Sequence, residues 1–137
     1  MSEWTAADAS SRLVRVMIVD DQAPFRDASR AVLSRIAGFT LSGEATSGEE
    51  AVTLAQNVHP DLVLMDINMG AMDGIEATRR ITATAPQIVV ILLSTYERDD
   101  LPSTARSSGA AAYLNKDELS PKTVRRLWEE RGDAEWR

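Results

Sequence analysis

Four short apolar runs that end on polar or acidic residues most constrain this chain. Val14 to Val19 runs into Asp20 and Asp21, and Leu62 to Met65 into Asp66. Ile88 to Leu93 runs into Ser94 and Thr95, and "AAYLNK" ends on Lys116. Runs this short and continuous suit strands covered on both faces, which belong to parallel sheets. Amphipathic segments alternate with them. "PFRDASRAVLSRIAG" carries Pro24 in its first turn, an apolar stripe of Phe25, Val32, Leu33 and Ile36, and Gly38 past its end. "SGEEAVTLAQNVHP" opens on Ser47 with Glu50 three residues on, a capping-box spacing, and stops before Pro60. "GIEATRRITATAP" follows an Asp73-Gly74 cap signal and ends at Pro86. "SPKTVRRLWEERG" has Ser120 as cap, Pro121 at its first position, a stripe of Val124, Leu127 and Trp128, and Gly132 as terminator.

With "FTLSGEA" as a further strand, strands and helices alternate throughout. Right-handed crossovers then give a parallel sheet with helices on both faces. The expected fold is α/β: a flavodoxin-like, doubly wound sheet of five parallel strands in order 2-1-3-4-5, with five helices. The fourth helix, within "YERDDLPSTARSSGA", is expected to be short and easily remodelled. Pro102 restricts its start, and Ser103, Thr104, Ser107 and Ser108 are poor formers. One domain is expected over residues 12–132, with a loose arm at 1–11 and a tail at 133–137.

Composition narrows the function. The 137 residues are 44% hydrophobic and 26% charged, ordinary for a globular protein. No cysteine is present, and a single histidine, His59, excludes a multi-histidine metal centre. No apolar run reaches the ~20 residues that cross a bilayer. The beginning "MSEWTAADASSR" has no apolar stretch of a secretory signal, so cytoplasmic residence is the default expectation. A net charge of −6 with no dense basic cluster argues against direct nucleic-acid binding.

In a sheet of this order every strand delivers its carboxyl end to one edge, where ligands bind. Asp20, Asp21, Asp66, Ser94, Thr95 and Lys116 therefore converge. Each alone reads as a turn or cap residue; all of them at strand ends form a site. Asp66 in particular is not needed as a cap, because Asp73-Gly74 already supplies one. Three carboxylates repel, and a hard divalent cation relieves them; three acids with room for water suit Mg²⁺. A lysine and a hydroxyl beside the metal offer what a phosphoryl group needs.

"MIVDD", "DLVLMDINMGAMDG", "VVILLS" and "GAAAYLNKD", in this order, resemble the receiver domain of two-component response regulators, over roughly residues 12–131. The resemblance implies that Asp66 accepts a phosphoryl group from a sensor histidine kinase or phosphotransfer protein. Asp21 would bind Mg²⁺ directly, Asp20 mostly through water, and Asn68 through its main-chain carbonyl. Ser94 would hydrogen-bond the phosphoryl group and Lys116 would pair with it. Tyr113 matches the aromatic whose inward or outward position reports phosphorylation, and its alternative is a plain edge-strand aromatic. The fourth helix, fifth strand and last helix would form the face for an output protein or a homodimer. Three departures stand out. Gly70 replaces a usual proline and is expected to loosen the loop after Asp66. Asp117 follows the lysine where proline is common, as in receivers that precede helix-turn-helix domains. Thr95 is branched where alanine or glycine is frequent, and could narrow access.

A stand-alone receiver that switches by binding a protein is the first expectation. The second is the receiver part of a DNA-binding transcriptional regulator whose output domain is absent from this chain; the end at "RGDAEWR", without a long linker, is read against it. An aspartyl phosphatase or phosphotransferase would want a second acid two residues after Asp66, where Asn68 stands. A receiver that works without phosphorylation fits poorly with intact acids, Ser94 and Lys116. His59 reads as a solvated helix end, and Met65, Met69 and Met72 as packing residues.

Overall fold

The computed structural model describes residues 12–131. The arm at 1–11, the tail at 133–137 and the expected terminator Gly132 lie outside the described residues.

Five strands, β1 (Val14–Val19), β2 (Phe39–Ala45), β3 (Leu62–Asp66), β4 (Val89–Ser94) and β5 (Ala112–Asn115), form one sheet. Its order is β2-β1-β3-β4-β5 and every pairing is parallel. This is the flavodoxin-like order that the alternation of strands and helices demands.

Among the described residues four α-helices cover it: α1 (Ala23–Leu33), α2 (Gly48–Val58), α3 (Gly74–Thr84) and α4 (Pro121–Glu129). Strand residues alternate between the two faces. Met17, Val19, Val63, Met65, Val90 and Leu92 pack with Ala51 and Ala55 of α2 and Ala77 and Ile81 of α3. Val16, Ile18, Leu62, Leu64, Ile91 and Leu93 pack with Leu33 of α1 and Val124 and Leu127 of α4. Burial of each such side chain stabilises by roughly 1.5–3 kcal/mol, so two continuous apolar faces hold the sheet level. Trp128 closes the second face edge-on against Phe39, with ring centroids 6.4 Å apart.

The helix starts follow the sequence signals. Ser47 accepts from the N–H of Glu50 at 3.1 Å, but the Glu50 carboxylate reaches the N–H of Thr46 at 2.6 Å, one residue earlier than a regular box. Asp73 caps α3 through the N–H of Glu76 at 2.9 Å. Ser120 and Thr123 cap α4 reciprocally. His59 ends α2 as an exposed left-handed C-cap at φ 49°.

The expected fifth helix is not there. Between β4 and β5 the described chain forms two 3-10 turns, Arg98–Asp100 and Ser103–Ala105. Pro102 interrupts the run of helical N–H donors, and the serines that follow turn their hydroxyls onto nearby carbonyls instead. Ser107 bonds Thr104 at 3.3 Å and Ser108 bonds Ala105 at 2.7 Å. The chain just after the second turn meets α3 at Thr82, whose hydroxyl lies between the carbonyls of Thr78 at 2.9 Å and Ser108 at 3.1 Å. Among the described residues, no helix is long and apolar enough to cross a membrane.

Candidate phosphoryl and metal site

Residues 19 and 65 are register partners in the β1–β3 ladder, so Asp20 and Asp66 leave adjacent strands at the same level. Asp20, Asp21 and Asp66 each place a carboxylate oxygen within 4.8 Å of the others. Asp20 and Asp66 are buried, at 1% and 4% exposure, and Asp21 is exposed. One oxygen of Asp20 is fixed by the N–H of Gln22 at 2.9 Å. The other, Oδ2, is buried and accepts no hydrogen bond. Its charged neighbour is the Lys116 ammonium at 2.9 Å, an ion pair without hydrogen-bond geometry. The same ammonium lies 3.3 Å from Oδ1 of Asp66.

One lysine cannot neutralise three carboxylates. Burial first and the Asp20 charge second push the Asp66 carboxyl up, Lys116 and the Asn68 N–H pull it back, and the balance leaves it at about 6. An orphaned carboxylate oxygen, an exposed acid beside it and a carboxyl held above its ordinary range are what a hard, oxygen-seeking divalent cation would correct. The donor set therefore fits Mg²⁺.

Lys116 is held from a second side. The ring of Phe25, on α1, lies under its ammonium at 4.2 Å. That cation–π contact holds the ammonium in place without adding another acid. Phe25 was legible in the sequence only as a core residue of α1.

The hydroxyl side is built differently. The N–H of Tyr96 donates to Oγ of Ser94 at 3.0 Å, and Oγ is 2.8 Å from the Tyr113 hydroxyl. The Tyr113 hydroxyl also contacts the carbonyls of Ser94 and Tyr96. Each hydroxyl has one proton, and one assignment uses both well: Ser94 donates to Tyr113, and Tyr113 to the Tyr96 carbonyl. Burial raises the Tyr113 phenol above its ordinary range, so it remains a donor at neutral pH. In that assignment the proton of Ser94 goes to Tyr113.

Tyr113 is 2% exposed, inside the core. Of the inward and outward positions that the resemblance implies, the ring takes the inward one, where Ser94 and the Tyr96 carbonyl satisfy its hydroxyl. Arg98 covers it from outside, with its guanidinium 5.6 Å from the ring centre.

Asn68 is exposed and accepts from the Tyr96 hydroxyl at 3.5 Å, while Thr95 is exposed at the rim. Gly70 sits at φ +65°, which proline cannot adopt, so it serves the turn geometry. Met69 is buried, Met72 packs on the core, and the N–H of Gly74 closes the loop on the carbonyl of Ile67 at 2.8 Å. The sequence reading missed Phe25, Gln22 and Tyr96 as neighbours of the site.

The pattern of the response regulator receiver domain matches residues 16–127. Response regulator GacA of Pseudomonas viridiflava is 38% identical over 104 residues, covering 76% of this chain and 49% of GacA. Response regulator UvrY of Escherichia coli is 36% identical over 104 residues, covering 76% of this chain and 48% of UvrY. The chain thus spans about half the length of these relatives. The signal receiver domain of NarL from Mycobacterium tuberculosis has a TM-score of 0.80 at 28% identity, covering 89% of this chain and 99% of that one. CheY of Borrelia burgdorferi, solved with CheX, BeF3 and magnesium, has a TM-score of 0.75 at 28% identity, covering 85% and 87%.

Proposed function

The chain belongs to the response regulator receiver family, and we propose that it works as a phosphorylation-dependent switch with Asp66 as the phosphoryl acceptor. The observation that carries this is the burial of Asp66 beside two acids and one lysine, with its carboxyl pushed up to about 6. Above that pH the carboxylate is ionised, and it is a nucleophile poorly stabilised in its own pocket.

Its oxygen would attack the phosphorus of a phosphohistidine or a small phosphodonor. One O–P bond forms, the P–N bond of phosphohistidine breaks, and the electron pair leaves with the imidazole. Lys116, whose ammonium lies 3.3 Å from the Asp66 carboxylate, would follow the charge onto the phosphoryl oxygens. Ser94 would donate its proton to the phosphoryl group, giving up Tyr113. When bound, Mg²⁺ would supply positive charge against the acids and the phosphoryl oxygens, held by Asp20, Asp21, Asp66 and the main-chain carbonyl of Asn68. Receivers of this family exchange phosphoryl groups with kinases and act on output partners. For this chain the output face would be the 3-10 segment, β5 and α4, for a protein partner or a second copy.

Incubation with acetyl phosphate and Mg²⁺ tests the acceptor. One phosphoryl adduct is expected by intact mass, and none in Asp66→Ala. Labelling of that variant to the wild-type level overturns the assignment.

A second reading is favoured by the greater length of the relatives, one of which, YxjL of Bacillus subtilis, is named a transcriptional regulatory protein and is 33% identical over 111 residues. This chain would then be the receiver part of a DNA-binding regulator. Reading the gene beyond codon 137 decides between the two: an in-frame helix-turn-helix region supports the regulator, and a stop codon the stand-alone switch.

A further inference from the structure

Ser94 and Lys116 stand at the ends of neighbouring strands, and one side chain joins their loops. Asn115 is the last residue of β5. Its Oδ1 accepts from the N–H of Asp117 at 2.8 Å and so caps the 3-10 turn Lys116–Glu118 that carries the lysine. Its Nδ2 donates to the carbonyl of Tyr96 at 3.1 Å. That carbonyl also receives the Tyr113 hydroxyl, and the N–H of the same Tyr96 holds Ser94 Oγ at 3.0 Å. The oxygen of one amide therefore orients the lysine turn while its nitrogen holds the serine loop.

Asparagine is a poor strand former, and a half-buried strand end would accept valine or threonine more readily. Two hydrogen bonds to main-chain groups of different loops offset that preference. They matter more in this chain because Asp117, not proline, follows the lysine, so the turn depends on side-chain capping for its shape.

We propose that Asn115 is a positioning residue that couples the Lys116 turn to the Ser94–Tyr96 loop, so that the ammonium and the hydroxyl meet a phosphoryl group on Asp66 as one preset pair. The proposal rests on the reading of Asp66 as acceptor. It assigns Asn115 no contact with the phosphoryl group itself.

Two variants separate the halves of the amide. In Asn115→Thr the hydroxyl can still accept from the N–H two residues on, but the side chain at 115 no longer reaches the Tyr96 carbonyl. Asn115→Leu loses both bonds. Beryllofluoride, a phosphoryl mimic, is titrated at saturating Mg²⁺, with segment-resolved amide exchange and urea unfolding measured alongside. At about 1 kcal/mol per bond, Asn115→Thr is expected to weaken beryllofluoride about fivefold and Asn115→Leu about 10–30-fold. In the wild type, protection should change over residues 94–96 and 115–118 together; in Asn115→Thr the second segment should no longer follow the first. A purely structural role would lower the urea midpoint and leave the affinity of the folded protein unchanged, which overturns the proposal. Should Asn115→Leu fail to fold, Asn115→Thr alone decides. If the wild type neither binds beryllofluoride nor takes up a phosphoryl group, the Asp66 reading falls and the coupling with it. If the wild type binds and Asn115→Thr binds equally with both segments responding, only the coupling falls.

Discussion

The two halves of the site are held by different physics. Asp20 and Asp66 end adjacent strands whose register the β1–β3 ladder sets, and both are buried. Their positions follow from main-chain pairing, and their charges oppose one another. Ser94, Tyr113 and Lys116 are instead tied by side-chain hydrogen bonds and ion pairs, across a segment that forms only two 3-10 turns. The acid half is set by main-chain pairing and is electrostatically unfavourable; the hydroxyl half is satisfied through side chains. A charge arriving on the first changes its energy strongly. The second can answer, because its bonds can be traded one for another at little cost.

The largest effect should come from removing the cation that serves both halves. Lys116→Met leaves two buried carboxylates without their shared partner, and without metal at pH 7 it should destabilise by about 3–4 kcal/mol. Urea unfolding measures this, and an unchanged midpoint would mean that the acids are already relieved by solvent. Added Mg²⁺ should recover part of the loss.

Asp66→Asn should act in the opposite direction. The folded pKa of Asp66, about 6, lies above its ordinary 3.8, so the fold favours the neutral form. Below the ordinary value both states are protonated and nothing is lost. As pH rises towards 6 the unfolded chain ionises first, and the folded state loses relative stability until the full cost stands above 6. At 1.36 kcal/mol per unit, metal-free Asp66→Asn should be more stable than wild type by about 2–3 kcal/mol at pH 7 and by almost nothing near pH 4. A gap that does not change with pH would show that the acid half carries no such tension.

On the hydroxyl side, Gly109→Ala should cost about 2 kcal/mol. Gly109 sits at φ +99°, and an added Cβ would fall 2.2 Å from the Thr82 hydroxyl that meets the Ser108 carbonyl just after the second turn. Gly70→Ala is the control: φ is +65° but the space is open, and about 1 kcal/mol is expected. Equal costs from thermal unfolding would mean that Thr82 does not hold the segment.

The smallest effect sharpens the contrast most. Tyr113→Phe removes the group that occupies the Ser94 proton, while Asn115 still satisfies the Tyr96 carbonyl. Beryllofluoride should then bind about fivefold more tightly, the worth of one hydrogen bond no longer surrendered. Weaker binding would show that the inward tyrosine supports the phosphoryl state rather than competing with it.

The sequence by itself determined the sheet, its order and the acid half. Apolar runs with helical periods between them admit one handedness of crossover, and that handedness sends Asp20, Asp21, Asp66, Ser94 and Lys116 to one edge before any side chain is placed. Caps at Ser47, Asp73 and Ser120 were equally legible, since each bonds within three residues of itself. Only the tertiary structure decided the rest. Poor helix formers hinted that residues 98–108 would be weak, but not that they would become 3-10 turns whose end meets α3 at Thr82, 26 residues from Ser108. The inward Tyr113, Phe25 beneath Lys116 and the Asn115 bridge join residues distant in the chain, through rotamers that become favourable only once the sheet has brought them together. Local periodicity carries no signal for such contacts, because their energy depends on which polar groups the fold leaves without water.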